Sequence, residues 1–129
     1  MHLFYLVLLA ICVVTACQPT DKAPASPRLL IDDGIIQMQL APGDAPVETP
    51  LQLTLTGENI VEIAGNVSGV SMYMGLVPLK FNQNGGIWQA DFLLGACSDP
   101  NMVWQAELQL TFRDGQKRTL KQQFHSSWH

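Results

Sequence analysis

Apolar and polar residues alternate one by one in Leu51-Gln52-Leu53-Thr54-Leu55-Thr56. A period of two puts every second side chain on one face, the signature of a half-buried strand. The pattern returns at 103–112, where Trp104, Ala106, Leu108, Leu110 and Phe112 share one face. Gln105, Glu107, Gln109 and Thr111 take the other. A third inward row, Trp88, Ala90, Phe92 and Leu94, lies within 87–94. Further strands are predicted at 34–40, 77–81 and 118–124. Residues 60–74 read as two pieces or one bulged strand, because Gly65 and Gly69 interrupt them.

Turn chemistry separates these rows. Asn84-Gly85-Gly86 predicts a hairpin between 77–81 and 87–94, and Asp114-Gly115 another between 103–112 and 118–124. Thr56-Gly57-Glu58-Asn59 marks a third turn. No segment sustains an apolar pattern of helical period. About seven short strands with regular turn signals predict an all-β fold, a single antiparallel β-sandwich of immunoglobulin-like outline. A small β-barrel is the alternative.

The N-terminus departs from this pattern. Leu3 to Ala16 is an apolar run of fourteen residues, short of the roughly twenty that a spanning helix needs. It closes on Val14-Thr15-Ala16-Cys17, an aliphatic residue, two small residues and a cysteine. These residues resemble the lipobox of bacterial lipoproteins. The resemblance implies cleavage before Cys17, a diacylglycerol on its thiol, a palmitate modification and export to the cell envelope. The n-region carries no Lys or Arg, which departs from the usual signal peptide. An ordinary secretory signal cut near Ala16, with Cys17 a free thiol, is the alternative. Gln18 stands where an Asp would signal retention in the inner membrane, so the same resemblance implies a periplasm-facing place on the outer membrane. Residues 1–16 are thus read as a signal peptide and 17–28 as a lipidated, Pro- and Ala-rich tether that holds the domain off the bilayer. Residues 29–129 form the sandwich domain.

Charge changes the picture only by exclusion. Seven basic and eleven acidic residues all lie beyond Ala16. The mildly acidic balance, without a basic patch, argues against nucleic-acid binding, which depends on neutralising phosphates. Of three cysteines, Cys12 leaves with the signal peptide and Cys17 takes the lipid. Cys97 stays unpaired in a compartment that favours disulfides.

No Ser-His-Asp set, phosphate-binding Gly loop, His-Glu-x-x-His or Cys-x-x-Cys motif is found in the mature chain. Asp32-Asp33 reads as solvated surface. The chain therefore reads as a non-enzyme with no evident small-molecule substrate. The sharpest local cluster is Ser71-Met72-Tyr73-Met74-Gly75. Met72 and Met74, two apart on a predicted strand, would aim their thioethers to one face. Cys97 and Met102 lie in the loop that joins two predicted strands. Loops at one end of a sandwich can converge on a strand end of the other sheet. A site of Met72, Met74, Cys97 and Met102 would then suit a soft ion such as Cu(I), held most tightly through a Cys97 thiolate. Trp88 and Trp104 could cap the cation through their π faces, or serve as core aromatics. The methionines could likewise be gap-filling core, and Cys97 a buried inert thiol.

Met72-x-Met74 with nearby tryptophans, and the run Met-Tyr-Met-Gly-x-x-Pro from Met72 to Pro78, resemble periplasmic copper-handling β-sandwich proteins of the FixH and YtkA-like type. That resemblance spans roughly residues 70–105 and implies a copper carrier or buffer, serving oxidase assembly or copper tolerance, with a copper-donor or copper-acceptor protein as partner. The rival expectation is a protein-interaction or envelope-structural module without metal, since the fold chooses neither. His125, Trp128 and His129 form a terminal segment that reads as frayed, or as a second metal site.

Overall fold

The structure, a computed structural model, describes residues 23–128. The signal segment, Cys17, Gln18 and His129 lie outside the described residues. Nine strands run in chain order: β1 (Arg28–Asp32), β2 (Ile36–Ala41), β3 (Leu51–Gly57), β4 (Ile60–Gly69), β5 (Leu76–Lys80), β6 (Asn82–Asn84), β7 (Ile87–Phe92), β8 (Val103–Phe112) and β9 (Lys117–His125). No helix occurs among the described residues. β1 opens at Arg28, and residues 23–27 ahead of it are exposed.

Two sheets pack face to face, ordered β1-β2-β3-β7-β6 and β5-β4-β8-β9. Every strand pair is antiparallel. The sheets do not close into a barrel. From β2 onward the order matches the ABED and CFG sheets of the immunoglobulin fold, with β5 added beside β4. β1 is a further edge strand beside β2.

The alternating rows decide which faces meet. Leu51, Leu53 and Leu55 of β3 and Trp88, Ala90 and Phe92 of β7 are buried from one sheet. Trp104, Ala106, Leu108 and Leu110 of β8 are buried from the other. Each fully buried leucine among them contributes about 1.5–3 kcal/mol through removal of apolar surface from water. β8 lies between β4 and β9, so its backbone pairs on both sides.

Nine strands replace the predicted seven or so, because two short segments escape a pattern reading. β1 is exposed or half-buried, without a full inward row. β6 has three residues, all exposed. The Asn84-Gly85-Gly86 turn therefore joins β6 to β7, while β5 lies in the other sheet. Gly85 and Gly86 both take positive φ, 59° and 84°, as the expected hairpin turn requires. The C-terminus is held to Ser127 rather than frayed. Ser127 N–H donates to the Ala45 carbonyl at 3.0 Å, and Val47 N–H donates to the Ser127 carbonyl at 3.0 Å.

Register defines two ends. At one, Gly57 of β3 passes through Glu58 and Asn59 to Ile60 of β4. At the other, Gly69 faces Trp104, Phe124 faces Trp104 from β9, and Leu51 faces Phe92. This second end carries the longer connections 70–75 and 93–102, and is called the loop end below.

Candidate functional site

Met72 and Met74 do not lie on a strand. β4 stops at Gly69 and β5 starts at Leu76, so both methionines belong to the connecting loop. The reason is local. The Met72 carbonyl folds back over Gly69, where an added β-carbon would stand 2.0 Å from its oxygen. Only a residue without a side chain admits that approach. Gly75, at φ 78°, completes the reversal into β5.

Two hydrogen bonds pin this loop to the start of β8. Val70 N–H donates to the Val103 carbonyl at 2.8 Å. Val103 N–H donates to Ser71 Oγ at 2.8 Å. The loop 93–102 is fixed from its own side. Glu48 N–H donates to the Leu94 carbonyl at 2.8 Å. Asn101 N–H donates to Asp99 Oδ1 at 2.8 Å, an Asx turn that aims Met102 into the core.

These constraints bring sulfur to sulfur. The Cys97 thiol donates to Met72 Sδ at 3.5 Å, across 25 residues of sequence. Met74 places its methyl 3.8 Å from where a Gly95 β-carbon would stand. Met102 places its methyl 2.4 Å from the corresponding point on Gly69. All four sequence-predicted sulfur residues therefore meet the paired loops at one end. Their exposure is graded. Met72 and Met74 are 43% and 36% exposed, Cys97 8% and Met102 1%. Tyr73, between the two outer methionines, is 78% exposed.

The 3.5 Å separation has chemical content. An ion bonded to two sulfurs at about 2.3 Å in tetrahedral geometry holds them about 3.8 Å apart. Replacing the shared proton of Cys97 and Met72 by a soft cation therefore asks for a shift of a few tenths of an ångström. Among the described residues, no three His, Cys, Asp or Glu side chains gather as a metal-ligand group. The sulfur–sulfur contact between these two loops is thiol to thioether.

The tryptophans separate. Trp104 stands two residues beyond Met102, buried, its indole N–H donating to Ser126 Oγ at 3.1 Å. Trp88 is buried near the start of β7, opposite Leu55, toward the other end of the sandwich. The fold does not bring Trp88 to the sulfurs. His125 ends β9 opposite Val103 and is exposed.

Sequence reasoning missed the residues that position the site. Ser71 and Val103 clamp the two loops, and Gly69 admits the fold-back. Gly69 left a trace as an interruption of its strand pattern; the Ser71 contact left none. Asp32 and Asp33 are exposed, as expected, and Asp33 is also hydrogen-bonded. Its Oδ1 accepts from Ile35 and Ile36 N–H at 2.9 and 2.7 Å, and its Oδ2 pairs with Arg118. These donors, Ile36 N–H first and then Arg118, lower its pKa from 3.8 to about 2.

No family model matches the chain, and no curated protein or solved structure matches it.

Proposed function

We propose that this chain is a lipid-anchored protein of the bacterial cell envelope that binds Cu(I) as a carrier or buffer. The observation that carries the metal reading is the Cys97–Met72 contact at 3.5 Å between two independently fixed loops. Cys97, as thiolate, supplies charge and softness together. Met72 and Met74, the exposed pair, receive and release the ion. Met102 forms the buried floor. Transfer proceeds by exchange of sulfur sets with a copper-donor or copper-acceptor protein, so that free ion is never released. The anchor is Cys17, on the strength of its resemblance to a lipobox. No catalytic step is involved.

The test is an anaerobic Cu(I) titration of the chain against a competing chelator, with Met72→Ala and Cys97→Ser in parallel. Cys97→Ser is expected to lose at least tenfold in affinity and Met72→Ala less. Equal, weak binding by all three proteins removes the metal reading. Met72 is exposed, so its truncation leaves folding largely intact, which circular dichroism checks.

A second reading has its own support. Cys97 and Met102 both belong to the buried hydrophobic cluster, where thiols and thioethers serve as packing. In that reading the sandwich is an interaction or envelope-structural module, and the titration returns no specific binding.

A further inference from the structure

Most of the exposed large apolar side chains lie where the chain enters the fold, against Ile35, Val61 and Ile87 at the opposite end. Val70, Tyr73, Leu76, Leu93 and Trp128 are all exposed, and each belongs to a segment at or next to the loop end. Val70 and Tyr73 are in the β4–β5 loop, and Leu76 begins β5. Leu93 directly follows β7, and Trp128 follows Ser127, which is held against Ala45 and Val47. The first described residues arrive at the same end. Arg28 faces Leu40 near the close of β2, and Gly43 N–H donates to the Ser26 carbonyl at 3.1 Å. Ala23, Pro24 and Ala25 line a shallow cleft with Pro42, Pro46 and Thr49.

We propose that the loop end seats on the lipid bilayer, with Tyr73, Leu76, Leu93 and Trp128 entering the headgroup region. The proposal rests on the reading of Cys17 as the lipid anchor, and docking and copper exchange then alternate, because Tyr73 lies between Met72 and Met74. Five residues lie between Cys17 and Ala23, and a fully extended chain covers about 20 Å from one to the other. The anchored domain is therefore kept within that reach of the membrane with its apolar end nearest. Tyrosine and tryptophan suit this depth, since each pairs an apolar ring with a polar tip. Charge at this end is mostly acidic, from Asp44, Glu48, Asp91 and Asp99 against Arg28. The contact is accordingly apolar, suits zwitterionic lipid and is insensitive to salt.

The experiment uses the full chain purified from envelopes and reconstituted in phosphatidylcholine vesicles with brominated acyl chains. Intact mass first reads the lipid on Cys17. Trp88 and Trp104 are buried, so bromine quenching reports Trp128. Partial quenching that disappears in Trp128→Ser is expected. The exposed double change Tyr73→Ser with Leu76→Ser should at least halve it, with unchanged circular dichroism. Quenching that is absent from the lipidated chain, or equal in the double variant, overturns the docking while the anchor stands. A partner protein as the true occupant of this end gives that same absence, since the vesicles hold this chain alone. A mass without lipid on Cys17 overturns the anchor and the docking with it.

Discussion

Gly69 shows how one residue sets the geometry of two loops. An added methyl would collide with the Met72 carbonyl, at 2.0 Å, and with the Met102 methyl, at 2.4 Å. The side chain can yield but the carbonyl is backbone. Gly69→Ala should therefore destabilise the fold by about 1–3 kcal/mol, the usual cost of overpacking, as read by urea unfolding. It should also separate Met72 from Cys97 and weaken Cu(I) binding. Ser126 makes a comparable point in the core. Its hydroxyl accepts from the Trp104 indole N–H, and Ser126→Ala leaves that buried donor unpaired, at about 1–3 kcal/mol. Asp33 gives the pH dependence. Its folded pKa, about 2, lies below the ordinary 3.8. A depressed carboxylate stabilises the fold fully above its unfolded pKa, and the contribution fades as pH falls through the folded one. Stability should thus decline between about pH 4 and pH 2, and Asp33→Asn should flatten that part of the acid-unfolding curve. At this scale the residue types were readable in the sequence, while the hydrogen-bond partners of Ser71, Ser126 and Asp33 were not. Met72 and Cys97 were grouped only through the expected convergence of loops at one sandwich end, and nothing local to either residue marks the contact across 25 residues.

Strands were legible where one face is buried and hidden where neither is. β8 matches its predicted bounds, Val103–Phe112, because four consecutive inward positions from Trp104 to Leu110 are buried. β3 and β7 follow the same logic. β6 carries no apolar residue at all, and only its pairing with β7 makes it a strand. The predicted strand through Met74 fails for the opposite reason. Its apolar residues continue past Gly69, yet the Val70 N–H and the Ser71 hydroxyl, both bonded to Val103, turn the chain away. Leu108→Ala in β8 tests the weight of the central strand. The residue is fully buried, so a loss of about 2–5 kcal/mol is expected, from lost transfer energy and the cavity left behind. Thermal or denaturant unfolding reads it directly.

The whole molecule sets which loops meet. Because β4 pairs with β8, the loop after β4 must meet the loop before β8. A single antiparallel pairing thus carries Met72 to Cys97. Cu(I) that binds only the folded state should raise stability by linkage, about 2.7 kcal/mol at a hundredfold excess over the dissociation constant. The thermal midpoint should rise with metal in the wild-type chain and rise less in Cys97→Ser.

Alternation of apolar and polar residues by itself determined that the chain folds into antiparallel strands with two inward faces, because burial follows a period of two. The Gly and Asp-Gly signals fixed several of the turns for an equally local reason, backbone conformations that few other residues adopt. Only the tertiary structure decided which strands are neighbours, and so which loops share an end. Pairing across 25 residues depends on sheet order, and sheet order is set by how two whole faces fit together, which no local pattern encodes.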